Sequence, residues 1–532
     1  MNRRQFTRNS ALGALGLAIG NSFFSQAHAA QDALAMSWDE WGKLDATGMA
    51  RLLVAGKITP AEVAAQAAKA SELVNPKLNC VIEVFEDVVK NPLKDGMNVN
   101  GPFHGVPMFV KDTGSHLKGR LQEKNSIFSR GSRSDYDDPL MRNFRRGGFN
   151  VLGRATMGAL HITEGLLTGF TLNPWDLEHT PGGSSGGSAA SVASGIVPLS
   201  HASDGGGSTR SPATLNGLVG HKPTRGLLPN LDGMSYDMAY MVTEGVITRS
   251  VRDQANAYDQ MIWRSPSDPA FIPVQMPSVP FSERIKRDPT RLRIALSTGN
   301  WSRRAADKSG RPVNPEVIAR TRQVAKQLES LGHTVVEVDE DQICDFEKLY
   351  KAFEWFYLYV YDWTAQSEQS GVPINEKTLE PAFRAMVEHQ KRHPKPAGLV
   401  DAARAANAQL AGQWAKFYAE YDLLLTPSDG DGAMKANGKG ELSLFAPLES
   451  EADYLNWIED HMDDARYFIP ANAMGFPAIS FPTGMLKSGL PCGAQLHGRW
   501  GDDGRVMQVA AQIERTKPEW FGTKPPVHVS NL

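Results

Sequence analysis

The chain has 532 residues, 41% hydrophobic and 22% charged, with 56 Lys+Arg against 59 Asp+Glu. That balance excludes a disordered or membrane-embedded composition, and a formal charge of -3 lacks the basic surplus of a nucleic-acid binder. Three cysteines, Cys80, Cys344 and Cys492, exclude a disulfide framework and a cysteine-only zinc cluster, leaving room for one bridge at most.

The N-terminus reads as a targeting segment. Met1 to Arg8 carries Arg3, Arg4 and Arg8 without an acid, the weakly apolar run Ala11–Ile19 follows, and Ala27-His28-Ala29 supplies a small-x-small cleavage pattern. The apolar run is too short for a resident membrane helix. Arg3-Arg4-Gln5-Phe6 resembles a twin-arginine signal, with Asn2 and Thr7 departing from its commonest form. The expectation is a cleavable export signal over 1–29 and one domain over 30–532, periplasmic or secreted. An oxidising destination suits the low cysteine count, and no membrane span is expected after cleavage.

Ala46 to Val74 shows helical spacing, with Thr59-Pro60 as N-cap and first-turn pair. Val81–Val84 and Val106–Val110 predict short buried strands. Asn150 to Asp253 is rich in Gly, Ser and Pro, and six prolines between Arg264 and Pro289 mark a surface crossover. Leu292–Leu296 predicts a strand, Pro315–Leu331 a helix ended by Gly332, and Thr334–Val338 a strand. This βαβ unit belongs in a parallel sheet covered by helices. A helix around Leu399–Tyr421 and strands at Leu423–Leu425 and Ala478–Phe481 complete one large α/β unit.

Within the middle stretch, Gly182-Gly183-Ser184-Ser185-Gly186-Gly187-Ser188 and Asp204-Gly205-Gly206-Gly207-Ser208-Thr209-Arg210 stand out. Flexible linkers do not enclose a packing element, yet a small-residue helix running into a strand, Ala189–Leu199, lies between them. Consecutive glycines let backbone amides converge on one point. Such a nest beside a serine suits acyl transfer, the serine attacking a carbonyl while the amides of Gly205 to Ser208 hold the oxyanion. A phosphate cradle would need the Gly-Lys-Ser/Thr ending, which is missing.

Two short matches are decoys. Gly183–Gly187 fits G-x-S-x-G, but Leu177–Pro181 is a poor strand to precede a nucleophile elbow. Ser115–Lys118 fits S-x-x-K without its companion motifs. The base candidate is Lys111, which follows the apolar run Val106–Val110. Burial there disfavours its ammonium form and lowers its pKa.

These blocks, with Gly105-Val106-Pro107, Gly220–Thr224, Tyr421–Pro427, Asn472–Pro482 and Gly489–Gly493, resemble the amidase signature family across nearly the whole mature chain. The resemblance implies a single α/β fold with a mixed, mostly parallel central sheet covered by helices on both faces. It also implies a Ser–Ser–Lys triad: Ser208 as nucleophile, Ser184 as the bridging serine on a cis peptide to Gly183, and Lys111 as base. The amides of Gly205, Gly206, Gly207 and Ser208 would form the oxyanion hole, with Asp204 and Arg210 bracing the loop. Neither metal nor organic cofactor is implied, and none of the histidines forms an HExxH pattern. Gly153–Ala159 departs from the family sequence, so no role is carried over from that strip.

The expected partner is a small-molecule amide, with no nucleic acid; a homodimer is left open. Phe353, Trp355, Phe356, Tyr357, Tyr359, Tyr361 and Trp363 predict either core or a cleft for a bulky or extended apolar amide. Asn173-Pro174-Trp175 and Arg249–Asp253 are similar to the 6-aminohexanoate cyclic-dimer hydrolases. The rival readings are an amidotransferase subunit, which the export signal disfavours, a non-catalytic binding protein, which would be expected to lose a triad member, and an esterase.

Overall fold

Residues 34–531, apart from 115, 230–240, 266–273 and 303–309, are described by the computed structural model. The export signal and the decoy Ser115 therefore lie outside the described residues. Thirteen strands follow in chain order: β1 Val81–Val84, β2 Pro107–Lys111, β3 Asn150–Ala155, β4 Glu164–Gly165, β5 Gly169–Phe170, β6 Leu199–Asp204 and β7 Val219–Lys222, then β8 Thr243–Thr248, β9 Arg293–Leu296, β10 Thr334–Glu337, β11 Leu423–Pro427, β12 Ala478–Met485 and β13 Pro491–Gly498. β4 and β5 form a small hairpin, and the other eleven form one sheet in the order β1-β3-β2-β6-β8-β7-β12-β13-β11-β9-β10.

The sheet is mixed, with its parallel pairs confined to two flanks. β3, β2 and β6 run parallel on one side, and β11, β9 and β10 on the other. The second flank contains the expected βαβ unit, its helix running from Pro315 to Ser330. Between the flanks, the neighbours from β6 through β8, β7, β12 and β13 to β11 are antiparallel. The long connections in this stretch allow returns that the sequence pattern does not reveal.

The local chemistry explains the helix boundaries. Thr59 accepts from the Glu62 amide at 3.2 Å while Glu62 accepts from the Thr59 amide at 2.8 Å, a capping box with Pro60 in the first turn. The helix Gly186–Ala193 is buried along its whole length. Only small side chains let it lie so close to β6, and Ser188 uses its hydroxyl to reach the His201 carbonyl at 2.7 Å. The apolar interior falls into two bodies. One surrounds the central strands, whereas the second is rich in aromatics and is built around the helix Phe346–Tyr359. The cleft lies where the two bodies meet.

All three cysteines are buried and free. Among the described residues, no helix is long and apolar enough to cross a membrane.

Candidate active site

Lys111 is the last residue of β2, whose five residues are all buried. Its side chain is 1% exposed and its Nζ donates to two hydroxyls, Ser184 Oγ at 2.8 Å and Ser203 Oγ at 2.8 Å. Burial pulls the amine down to about 7, against the opposing pull of Glu244 and Asp204. A substantial neutral fraction therefore exists near neutrality, with a lone pair that can accept a proton.

Ser184 follows a cis peptide bond from Gly183. A side chain at Gly183 would place its Cβ 2.3 Å from the Ile162 backbone nitrogen, so the close approach requires glycine. The Ser184 carbonyl accepts from the Gly158 amide at 2.9 Å. The divergent strip Gly153–Ala159 thus supports Ser184 through its backbone. Its Arg154 is spent on a buried ion pair with Asp112 at 2.7 Å.

Ser208 closes the second glycine run and lines the same cleft as Lys111 and Ser184. Among the described residues, no hydrogen bond joins its hydroxyl to that of Ser184. The turn before it is held by Asp204, which accepts from the Gly207 amide at 2.8 Å and from Arg210 Nε at 3.0 Å. The Gly207 amide, named above as an oxyanion donor, is therefore already engaged; Gly205, Gly206 and Ser208 line the cleft. Gly207 has φ +124°, and a Cβ there would meet the Phe468 ring at 2.7 Å.

Arg210 is fully buried and also donates to Gln495 Oε1 at 3.1 Å and Asn472 Oδ1 at 2.6 Å. Burial alone would raise the Asp204 carboxyl. The Arg210 charge and hydrogen bonds overcome this and hold it well below the usual carboxylate range. The pair is ionised and stiff, as a turn that aims backbone amides requires.

The cleft encloses about 330 Å3. Phe356, Tyr357, Tyr361 and Trp363 form one wall, while Phe353 and Trp355 are packed in the core behind them. The aromatic run thus divides between the two expected uses, except that Tyr359 is half-buried outside the cleft and donates to the His393 carbonyl at 3.1 Å. His161 faces the cleft with Nε2 3.1 Å from the Tyr357 hydroxyl, and burial pushes it down to about 4, so the ring is neutral. A larger hollow of about 840 Å3 beside Trp301 and Cys344 contains none of these groups. The decoy Ser185 is buried, with its hydroxyl on the Ser203 carbonyl at 3.3 Å. The hydroxyl ties the helix start to the β6 backbone, which also donates to it from the Ser203 amide at 3.4 Å, and it does not line the cleft.

A buried amine on a serine, with a second serine and a glycine turn braced by an ion pair in the same cleft, has the group types that acyl transfer needs. The amidase family profile matches residues 62–507. The chain belongs to the amidase family. Over 497 residues it is 32% identical to a 6-aminohexanoate-cyclic-dimer hydrolase of Pseudomonas sp. (strain NK87), covering 90% of this chain and 96% of that protein. An acylamidase of Rhodococcus erythropolis is 30% identical, covering 91% and 97%. The structure of a 6-aminohexanoate cyclic dimer hydrolase complexed with substrate superposes with a TM-score of 0.78 at 28% identity, covering 92% of this chain and 99% of that one.

This amidase is a hydrolase of carbon–nitrogen amide bonds. Several groups at its site escaped the sequence reading. Ser203 gives Lys111 a second acceptor, and Asn472 and Gln495 complete the Arg210 cage. Asp429 accepts from Ser211 and Thr214, each at 2.6 Å, and anchors the helix that follows Ser208. Ser203 was detectable, because in a strand ending at Asp204 it sits one residue from a named position. The others arrive from a strand, a helix and a loop more than 200 residues away.

Among the described residues, His389, His393 and Glu451 are the one cluster with the makings of a cation site. His389 Nδ1 and His393 Nε2 stand 2.7 and 3.0 Å from the same Glu451 oxygen. Arg392 lies 3.1 Å from the other oxygen, and no member of the cluster lines the cleft.

Proposed function

We propose that this amidase cleaves its substrate through an acyl-enzyme on Ser208. Neutral Lys111 takes the Ser184 proton, and Ser184 takes that of Ser208 as its oxygen attacks the amide carbonyl. The tetrahedral oxyanion is held by the amides of Gly205, Gly206 and Ser208, each such donor contributing about 3 kcal/mol in the transition state. Gly207 serves the turn by binding Asp204. The protons return along the same path to the departing amine, and water then releases the acid. The observation that carries this reading is the 2.8 Å contact from a buried, readily neutral Lys111 to Ser184, in a cleft that also contains Ser208.

The substrate proposed is an extended aliphatic amide of the 6-aminohexanoate type, linear or cyclic, with aryl and peptide amides as the alternative. Likeness to the cyclic-dimer hydrolases supports it, as does an aromatic wall along a cleft of about 330 Å3. The chemistry draws on groups of one chain, so a homodimer is not required for it. We also place the mature protein in the periplasm or outside the cell, on the strength of the basic, apolar and small-x-small sequence of residues 1–29.

Mass-spectrometric product analysis with linear and cyclic aminohexanoate oligomers, anilides and primary amides tests the substrate. Amine release from aminohexanoate oligomers is expected, and exclusive ammonia release from primary amides would contradict it. Cell fractionation with N-terminal sequencing should find the protein in the periplasm or medium beginning near Ala30, whereas protein confined to the cytoplasm with an intact Met1 would refute export.

A further inference from the structure

Lys111 shares its sheet face with an acid that the mechanism above does not use. β2, β6 and β8 are neighbours, and Glu244 on β8 stands directly opposite Ser203 on β6. Side chains of directly opposed residues lie on one face, so Glu244, Ser203 and the Ser203-bound Lys111 amine emerge together. His201, two residues before Ser203, belongs to the same face.

His201 ties the two together. The β2–β6 ladder pairs Met108 and Phe109, and beyond it the Lys111 backbone N–H donates to His201 Nδ1 at 3.3 Å. That leaves the ring proton on Nε2, which donates to Glu244 Oε2 at 2.8 Å. Among the described residues Glu244 Oε1 is buried without a hydrogen-bond partner, although the residue lines the cleft. It presses on Gly114, where a Cβ would lie 2.6 Å from Oε1. An unpartnered buried oxygen is costly, and one beside a reactive centre calls for an explanation.

The surrounding titratable groups have other partners. On β6, Asp204 belongs to Arg210; on β7, His221 belongs to Asp503 at 3.0 Å, and Lys222 donates to the Pro223 carbonyl. On β3, Arg154 holds Asp112, the residue after Lys111. Tyr258, packed against β8, gives its hydroxyl to the His221 carbonyl, and across the cleft His161 meets Tyr357. Glu244 is left facing Lys111.

We infer that Glu244, clamped by His201, is a positioning residue whose carboxyl is the electrostatic partner of the Lys111 amine and sets the pH at which that amine becomes a base. Where the carboxyl is ionised it stabilises the Lys111 ammonium and raises the pH at which the amine turns neutral. Only the neutral amine can accept the Ser184 proton. Burial works against both charges, raising the Glu244 carboxyl and lowering the Lys111 amine, while each charge favours the other. The inference rests on Lys111 being the base.

The test is the pH dependence of kcat/KM on an acyl anilide for wild type, Glu244→Gln, Glu244→Asp and Lys111→Ala. Glutamine mimics the acid form permanently, so Lys111 loses an ion-pairing partner and the acid limb should move to lower pH by about one unit. Aspartate should return the limb toward its wild-type position. A lower kcat with an unmoved limb in Glu244→Gln would overturn the inference and leave Lys111 as base. Substantial activity in Lys111→Ala would instead refute the base itself. If Glu244→Gln does not fold, as judged by circular dichroism and thermal melting, Glu244→Ala removes the same charge and carries the same expectation.

Discussion

The Lys111 amine and the Ser184 hydroxyl meet at 2.8 Å although 73 residues separate them in the chain. Lys111 ends a buried strand, Ser184 begins the turn into a buried helix, and both belong to layers with little freedom to shift. Pre-organisation of this kind is what proton transfer between side chains needs.

Replacing Lys111 by alanine should lower kcat by roughly 10²–10⁴-fold, the usual contribution of a positioned general base. The acid limb of the wild-type profile follows from its direction of shift. The amine is depressed to about 7 and acts only when neutral, so kcat/KM should rise as pH increases through about 7. A flat profile between pH 5 and 8 would point to a different base.

Arg210→Met leaves the Asp204 carboxylate buried without its partner. Breaking such a pair costs about 3–5 kcal/mol, to be read as a lower denaturant midpoint. Because the Asp204 carboxyl is held below its ordinary value, the stability it confers is present above about pH 4. It should be lost only as pH falls through that depressed value. Wild-type unfolding curves at pH 7 and pH 4 should therefore differ little on this account.

Gly183→Ala would drive a Cβ into the Ile162 backbone at 2.3 Å, where no flexible side chain can yield. Activity should fall at least as far as in Lys111→Ala, with a lower melting temperature. By contrast, Gly489→Ala meets no atom within 4 Å, and its activity should be unchanged even though φ is +82°. Any stability loss there reflects backbone strain alone.

Phe356 forms part of the cleft wall and its ring lies 3.0 Å from where a Gly205 Cβ would sit. Truncating it to alanine should lower kcat/KM for an extended apolar amide by about tenfold or more, through lost apolar burial. A short primary amide, which fills less of the cleft, should be affected much less. Equal losses on both would assign Phe356 to the turn and not to substrate.

Much of this was legible in the sequence because it depends on short-range patterns. Val81–Val84 is a β-rich run that forms a strand, though only Val81 of it is buried, and Thr59-Pro60 caps a helix. The glycine runs mark both turns of the site. Strand order did not follow, since β8 and β7 pair antiparallel with each other and next to β6 and β12 only through long returns. Glu244 was missed for the same reason: its meaning comes from standing opposite Ser203, 41 positions earlier. The engagement of the Gly207 amide by Asp204 is likewise a matter of three-dimensional hydrogen bonding that a run of glycines does not reveal.

The acyl-enzyme can be sought directly by incubating the protein with a slow-turnover amide or ester, quenching in acid and locating the adduct by peptide mass spectrometry. Acyl mass is expected on Ser208, with neither adduct nor turnover in Ser208→Ala. An adduct on Ser184 or Ser185, or undiminished turnover in Ser208→Ala, would contradict the Ser208 assignment.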